Sequence, residues 1–353
     1  MCRLVERSEM QMRAWYLRRL SLRAKRRSMA TVSRTTYDTM KGHTMAIYIS
    51  DEDVRRLLSV EECVEVLDDL FKQESQGLVE NLPRQRFRGP KTTFTIMGGS
   101  VLGSNAYGVR HSNVNLLYNT EDGTLEAVIR PSSMAWIRTG AASGVATKYM
   151  AQPNASVVGI VGSGRQAITQ LEAVCAVRPV KLVKVYSRTP ENRTKFVSEM
   201  REHLGIEIVA CDSAEECVSG SQIVIAMTNA REPVFDGAAL DPGTHVNAAG
   251  SNGYMRREID ETTIKRSDLV VVDNLEQART ECGELIAAVD RGALRWRQVV
   301  ELHEIVGGKV NGRPSPDAIT LFESQGIGIE DIAASAYVLR KAREQGIGQE
   351  LPF

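Results

Sequence analysis

A glycine-rich stretch in mid-chain carries the clearest chemical signal of the sequence. Residues 162–167 read GSGRQA, follow the aliphatic run 156–161 and precede a helical pattern over 166–177. In this GxGxxA spacing the first glycine permits a tight turn, the second lets the backbone approach a pyrophosphate, and the alanine lets helix and strand pack closely. Unpaired N–H groups at the start of the helix bind the anion. The stretch therefore predicts a dinucleotide site.

The end of the next predicted strand indicates which dinucleotide binds. NAD-specific sites place Asp or Glu there for the ribose 2′-hydroxyl, but this chain has Ser187-Arg188-Thr189. Arg188 carries a planar cation suited to a 2′-phosphate, and the two hydroxyls are further donors. We therefore expect NADP(H) in preference to NAD(H). The alternative is that Arg188 is a solvated surface residue and that Thr189 only precedes the helix that starts at Pro190.

Four arginines of the amino-terminal half have apolar or small neighbours: Arg84, Arg86, Arg110 and Arg138. Arg138 lies between Trp136-Ile137 and a run of small residues, where a guanidinium needs an anionic partner. Two such arginines would hold the carboxylate of an amino or keto acid. Arg138 is the favoured member of the pair, with Arg84 or Arg110 as the second arginine, although each could instead be salt-bridged. The sequence does not separate Arg84 from Arg86.

His111 is a candidate proton donor because histidine titrates near neutral pH. It follows Arg110 directly, and alternation along a strand places the two side chains on opposite faces. Both therefore cannot point straight into one site. A structural histidine is the alternative to a catalytic one.

The elements that must position these residues follow from the hydrophobic pattern. Ser59 and Glu62 form a capping box that predicts a helix over 59–77. Strand-like stretches over 94–101, 106–119 and 124–130 lead to a small-residue helix over 134–151, and a last helix covers 329–346. Between them, from residue 155, short aliphatic runs alternate with helical segments. This alternation predicts an α/β fold with a parallel sheet buried on both faces.

The first 44 residues differ from the rest of the chain. They hold eleven Lys/Arg and three Asp/Glu, a charge of +8, so the remainder of this formally neutral chain carries −8. That balance argues against a nucleic-acid-binding body. We expect the head to be a disordered basic extension, or an upstream mis-assigned start before Met45. A mitochondrial presequence is the weaker alternative to a cytoplasmic protein.

Cysteine and hydrophobic patterns exclude further classes of site. The six cysteines show no CxxC pair and no Cys/His spacing typical of a metal site, so we expect reduced thiols and no metal. No apolar run reaches the roughly 18 residues of a membrane span, so we expect no membrane partner.

Taken together, the motifs resemble the ornithine cyclodeaminase/μ-crystallin family over roughly 45–351. The matching segments are RTGAASGVATKYMA, GIVGSGRQA, YSRTPEN, EPV with LDPGTHVNAAGSN, VVVD, CGEL and ITLFESQGIGIEDIAAS. The resemblance implies a Rossmann doubly wound parallel sheet inserted into a smaller α/β domain that dimerises and binds substrate. The implied domains are 45–150 plus 325–353 for the substrate domain and 151–324 for the NAD(P)-binding domain.

The resemblance also assigns residues. Arg138 resembles the carboxylate-binding arginine, Arg84 falls near the other one, and Asn252 lies in the substrate loop. Arg138, Arg110 and His111 are the catalytic candidates. Motif and resemblance together predict these cofactor-binding residues: Gly162, Gly164, Arg165, Gln166, Ala167, Ser187, Arg188, Thr189, Asn192, Met227, Thr228, Asn229, Ala249 and Ser324.

Two departures from the family pattern bear on the reaction. A family lysine is replaced at Arg110, which clamps a carboxylate but hardly releases a proton. The aspartate of ornithine cyclodeaminases is replaced at Asn252, which cannot supply charge to a distal amine. The resemblance therefore implies NAD(P)H-dependent reduction of an imino (ketimine) acid to an amino acid, or the reverse, by a homodimer. The alternatives are ornithine cyclodeamination with NAD recycling, or non-catalytic NADPH-dependent ligand binding.

Overall fold

The computed structural model of the protein describes residues 45–352, so the predictions for the basic head lie outside the described residues. The amino-terminal half begins with a short strand and two helices of 7 and 16 residues, and it continues into an antiparallel sheet and a long helix. Its elements are β1 (Ile47–Ile49), α1 (Asp51–Leu57), α2 (Val60–Ser75), β2 (Val79–Arg88), β3 (Thr93–Val101), β4 (Ala106–His111), β5 (Val114–Asn119), β6 (Leu125–Ile129) and α3 (Ser132–Met150).

The predicted capping box forms at the start of α2. Ser59 Oγ accepts the N–H of Glu62 at 3.1 Å, and the Glu62 carboxylate accepts the N–H of Ser59 at 3.0 Å. The single strand predicted over 106–119 is wrong, because the chain folds there into the hairpin β4–β5. Ser112 turns the chain with a φ of 26°. Residues other than glycine rarely adopt this backbone conformation, and the sequence has no dipeptide here that is typical of a hairpin turn.

The carboxyl-terminal part alternates strands and helices, as predicted. Its elements are β7 (Val157–Val161), α4 (Arg165–Val177), β8 (Leu182–Tyr186), α5 (Pro190–Leu204), β9 (Glu207–Ala210), α6 (Ala214–Val218), β10 (Ile223–Ala226), β11 (His245–Ala248), α7 (Glu261–Arg266), β12 (Leu269–Val272), α8 (Leu275–Glu281), α9 (Gly283–Asp290), β13 (Val299–Glu301), α10 (Leu302–Val306), β14 (Thr320–Glu323), α11 (Gly328–Gln345) and β15 (Gln349–Glu350).

Two sheets organise these elements. The first has the order β15-β1-β6-β5-β4-β3-β2 and is antiparallel apart from the parallel pair β1–β6. The second is parallel, with the order β13-β12-β14-β11-β10-β7-β8-β9. Its strand order reverses between β7 and β10. In such sheets ligands bind outside the carboxyl ends of the strands at the reversal, so the sheet positions a site where Gly162 and Met227 begin their loops.

Helices α3 and α11 make close packing contacts with elements of the two sheets. Helix α3 lies against α4, where a Cβ on Gly140 would come within 2.3 Å of the Thr169 carbonyl oxygen. This is the close approach that its small residues predicted. Helix α11 packs on the antiparallel sheet, where a Cβ on Gly108 would lie 2.9 Å from Ile332. The packing places the start of α11 beside α3. The limits of the two domains stay a prediction.

Within 45–352, no helix combines the length and the apolar character that crossing a bilayer requires.

Candidate active site

A cavity of about 1190 Å³ lies at the carboxyl ends of β7, β8 and β10. Its position is the strand-order reversal at which doubly wound sheets bind ligands. The predicted cofactor residues that line it are Gly162, Gly164, Arg165, Gln166, Ala167, Ser187, Arg188, Thr189, Asn192, Met227, Thr228, Asn229 and Ala249. The sequence therefore located the residues around this cavity, with Ser324 as the exception described below.

The glycine turn has the geometry that its motif requires. Gly162 has a φ of 120°, and a Cβ there would lie 2.2 Å from the Met227 carbonyl oxygen. Gly164 is the N-cap of α4 and no side chain caps this helix. A Cβ built on Gly164 meets nothing within 4 Å, so the space in front of the helix is open. The free N–H groups and the positive end of α4 therefore suit a phosphate.

Basic side chains dominate the rim of this larger cavity. Arg165, Arg188, Arg231 and Arg256 line it against one acid, Glu232. The exposed Arg188 follows β8, where Ser163 Oγ donates to Ser187 Oγ at 2.9 Å. These hydroxyls join the glycine turn to the strand end. A set of guanidinium groups and hydroxyls in this place fits an anionic dinucleotide.

A second cavity of about 360 Å³ adjoins the first. Trp136, Gln166, Ala249 and Asn252 line both, so the two spaces share a wall. Of the side chains lining the smaller cavity, four are arginines and none is acidic; the arginines are Arg84, Arg86, Arg110 and Arg138. A volume near the lower end of about 300–1,000 Å³ for ligand pockets suits a small molecule, and the guanidinium groups suit a carboxylate.

Acids on the start of α11 hold two of these arginines. Arg138, which is 5% exposed, donates to Glu330 at 2.9 Å, and its Nε lies 3.4 Å from Asp331. Asp331 also accepts from Arg110 at 2.6 Å. Burial alone would lower the pKa of Arg138, but Asp331 and Glu330 raise it. Burial also raises the pKa of Glu330 to about 8 against the opposing charge of Arg138. The Asp331 carboxylate thus fixes both guanidinium groups.

Acids on and beside α8 hold the other pair. Glu281 accepts from Arg84 at 2.5 Å and also from Arg86. Arg84 donates further to the carbonyl oxygens of Gln325 and Gly326, at 3.1 and 2.7 Å. Asp273 accepts the N–H groups of those two residues. The chain of contacts makes the 325–326 turn a support for Arg84.

Ser324 and His111 lie apart from the sites for which the sequence proposed them. Ser324, predicted to line the cofactor, lines the smaller cavity instead. His111 lines neither cavity, and its ring centroid lies 3.8 Å from that of Phe94. Cross-strand register explains this, because Arg110 pairs with Met97, which also lines the smaller cavity, whereas His111 pairs with Ile96. Arg110 and His111 thus occupy opposite faces, as alternation requires.

Sequence reasoning did not find the carboxylates of the site. Glu281, Glu330 and Asp331 are buried and set the arginine positions, and Glu258 accepts from Thr228 and Gly250 at the larger cavity. They come from elements distant in the chain. The acidic pair 330–331 at the start of the last helix was a signal, but helix starts favour acids for other reasons.

Comparison with known proteins places the chain in a family. The sequence model of the ornithine cyclodeaminase/mu-crystallin family matches residues 45–346. The chain belongs to that family. A Δ1-pyrroline-2-carboxylate reductase of Bacillus cereus, a curated relative, is 31% identical over 328 residues, which are 87% of this chain and 100% of the relative. The resemblance inferred from the motifs is therefore confirmed.

Solved structures of family members share the fold. Thermococcus litoralis Δ1-pyrroline-2-carboxylate reductase, solved with NADH and L-proline, is 35% identical with a TM-score of 0.83, covering 86% of this chain and 100% of its own. An archaeal alanine dehydrogenase dimer with bound NAD is 30% identical with a TM-score of 0.81, covering 87% and 99%. These members bind a nicotinamide dinucleotide and contain the same two-part α/β architecture. The predicted fold class is confirmed.

Proposed function

We propose that the protein reduces the C=N bond of an imino acid, giving an amino acid, with NADPH as the preferred hydride donor. The protein is an NAD(P)H-dependent oxidoreductase of the ornithine cyclodeaminase/mu-crystallin family that acts on C=N groups. The observation that carries the proposal is the shared wall between a groove built for a dinucleotide and a small arginine-lined cavity. A carboxylate held in the smaller cavity places its neighbouring carbon at that wall.

The preference for NADPH is supported by the charge around the larger cavity. Arg188 follows β8, and the tripeptide Ser187-Arg188-Thr189 carries no acid to engage a ribose 2′-hydroxyl. Four arginines against one acid favour the ligand with the larger negative charge. The 2′-phosphate of NADPH adds about −1.5 to −2 charge at pH 7, as other phosphate monoesters do.

The residues of the smaller cavity bind and orient the substrate. Arg138 and Arg110, which share Asp331, hold the carboxylate, and Arg84 closes the other side from the 325–326 turn. A bound nicotinamide supplies the hydride to the C=N carbon. Rigid guanidinium groups contribute through orientation, because positioning alone can lower a barrier by about 7–11 kcal/mol. The arginines act as binding groups and stay protonated throughout.

The nitrogen must gain a proton as the carbon gains the hydride. His111 lies on the opposite face of the sheet from Arg110, and the residues that line the smaller cavity include no acid, histidine or lysine. We therefore assign the proton to water, or to an imine that enters already protonated. The same lining has no carboxylate for the distal amine of a diamino acid, which argues against cyclodeamination. Asn252 offers only a neutral amide.

The test is an absorbance assay with NADPH and with NADH. The substrates are pyrroline- and piperideine-2-carboxylate, and 2-oxo acids mixed with ammonia or methylamine. Loss of the reduced-nicotinamide signal with formation of the amino acid supports the proposal. An unchanged reduced-nicotinamide signal with these substrates, together with proline formed from ornithine and catalytic NAD, would favour a cyclodeaminase. Tight binding of both ligands without turnover would favour a binding protein.

We also propose that two copies associate through the outer face of the antiparallel sheet. Phe87 and Phe94 are 59% and 42% exposed and pair across β2 and β3. Tyr107 and Tyr118 stack on β4 and β5 with ring centroids 5.8 Å apart. An exposed apolar patch of this kind is typical of an association surface. Light scattering after gel filtration should give a dimer, retained in Phe94→Leu and lost in Phe94→Glu. A monomeric parent protein would refute the proposal.

A further inference from the structure

Glu258 connects the two loops that follow β10 and β11. Its side chain is fully buried between them. One carboxylate oxygen accepts the N–H of Thr228 and the other accepts the N–H of Gly250, each at 2.5 Å. Because each oxygen serves a different loop, a single side chain sets the distance between the two backbones.

Both loops line the larger cavity, so their separation shapes the cofactor site. Thr228 and Gly250 are lining residues. A Cβ on Gly250 would lie 2.2 Å from the Thr228 carbonyl oxygen and 2.5 Å from the Glu258 carboxylate. The backbones of Gly250 and Thr228 are therefore in close contact beside the Glu258 carboxylate. The hydrogen bonds of this carboxylate therefore act on two residues that line the cavity.

Glu258 is surrounded by other acids and has no cationic partner among the ion pairs of the described chain. The carboxylate of Glu284 on α9 accepts the N–H of Glu258 at 2.8 Å. Glu323 on β14 and Cys282, which donates to Glu323 at 3.5 Å, complete the buried cluster. Burial, with the nearby Glu284, raises the pKa of Glu258 to about 7, while the bonds from Thr228 and Gly250 lower it. Burial also raises the pKa of Glu323 well above its ordinary value.

We propose that Glu258 is a positioning residue for the dinucleotide: its ionised carboxylate holds the two loops at the separation that cofactor binding needs. This inference rests on the proposed function. The ionised form accepts the two N–H bonds most strongly, because protonation turns one carboxylate oxygen into a hydroxyl, which is a much weaker acceptor. Cofactor affinity should thus rise as Glu258 loses its proton, whereas ionisation of a carboxyl buried without a cation costs folding free energy. The two properties respond to pH in opposite directions.

The test compares Glu258→Gln with the parent protein by NADPH titration calorimetry at pH 6.5 and 8.5. The amide offers one acceptor and points N–H donors at the other loop. We expect the variant to bind about tenfold more weakly at pH 8.5 and only about threefold more weakly at pH 6.5. The 2′-phosphate of NADPH titrates in the same way with the variant and with the parent protein. The ratio of their Kd values at each pH therefore reports only the effect of Glu258. The unfolding temperature of the variant without cofactor should not fall at pH 8.5.

The matched control is Glu323→Gln, which alters the same buried cluster without touching either loop. Burial raises the pKa of Glu323, and the N–H groups of Thr228 and Gly250 donate to Glu258 and not to Glu323, so the amide should change the NADPH Kd less than twofold. A Kd ratio for Glu258→Gln below twofold, or equal at both pH values, would overturn the inference.

The parent protein supplies a second test, which can be carried out even if the Glu258→Gln variant fails to fold. NADH lacks the titrating 2′-phosphate, and its affinity should rise with one inflection near pH 7. A flat profile overturns the role of Glu258. If the parent protein binds neither NADPH nor NADH at any pH, the proposed function itself fails and this inference fails with it.

Discussion

Replacement of Arg188 by alanine tests the cofactor assignment without disturbing the fold. Arg188 is exposed and follows β8 at the rim of the larger cavity. Its removal should leave the unfolding temperature unchanged, because exposed substitutions usually alter stability by no more than about 0.5 kcal/mol. The loss should appear in NADPH binding alone, since NADH has no 2′-phosphate for this guanidinium to hold.

The size of the effect follows from exposure. A hydrogen bond to a charged group contributes about 1.5–3 kcal/mol, and solvent screening at an exposed position favours the lower figure. That corresponds to an increase of about tenfold in the Kd of NADPH at physiological ionic strength. The increase should be larger in dilute salt, where the parent protein gains more from the pair. The Kd of NADH should change less than twofold.

Isothermal titration calorimetry of each protein with both coenzymes measures these Kd values. Arg297→Ala is the matched control, because Arg297 is also exposed and lines neither cavity. Arg188→Lys keeps the charge but loses the planar fork, so an intermediate Kd is expected. Arg188→Asp should shift the preference toward NADH. Equal loss of NADPH and NADH affinity in Arg188→Ala, or no loss of either, would refute the reasoning.

Three further predictions concern the glycine turn, the arginine cavity and pH. The added methyl group of Gly164→Ala meets no atom within 4 Å in the free protein, so the unfolding temperature should stay unchanged. Calorimetry should show at least tenfold weaker NADPH binding, and an unchanged affinity would contradict a close approach of the backbone to the cofactor. Arg138→Met should raise the KM for the imino acid at least 100-fold with little change in NADPH Kd, and an unchanged KM would count against the carboxylate clamp. Burial raises the pKa values of Glu74 and Glu330 to about 8, above the value near 4.5 in the unfolded chain. The unfolded chain therefore loses these protons at a lower pH than the folded protein does, and the free energy of unfolding falls as pH rises from 7 to 8.5. Calorimetric scans should show this fall, smaller in Glu74→Gln, and rising stability would contradict it.

Much of the fold follows from local patterns. The alternation of aliphatic runs and helical segments after residue 155 predicted a parallel sheet, and β7 and α4 lie within one residue of their expected limits. The hairpin at Ser112 was missed because its turn has no glycine at the position with positive φ. Strand β2 was missed because Pro83 and three nearby arginines interrupt its alternation. A break in register between Leu82 and Gln85 accommodates them.

The candidate site was predictable where a motif fixes the backbone and not where tertiary contacts fix side chains. The glycine spacing placed the larger cavity, because turn geometry and helix dipole are local properties. The arginines could be named but not paired, since Glu281 is about 200 positions from Arg84 and Asp331 is more than 190 positions from Arg138. No sequence pattern encodes which buried carboxylate meets which guanidinium. The link between Glu258 and two separate loops likewise depends on tertiary contacts, since the loops follow the neighbouring strands β10 and β11.

We expect hydride to pass across the wall between the two cavities to the carbon of an imino acid. The direct measurement uses NADPH deuterated at the transferred position of nicotinamide C4, with five- and six-membered cyclic imino acids and the methylamine imine of pyruvate. Mass spectrometry of the amino-acid product should find one deuterium at Cα for at least one substrate, with NADP⁺ formed in equal amount. An amino acid without deuterium, or no amino acid from any of these substrates while NADPH and substrate both bind, would contradict direct hydride transfer to an imino acid.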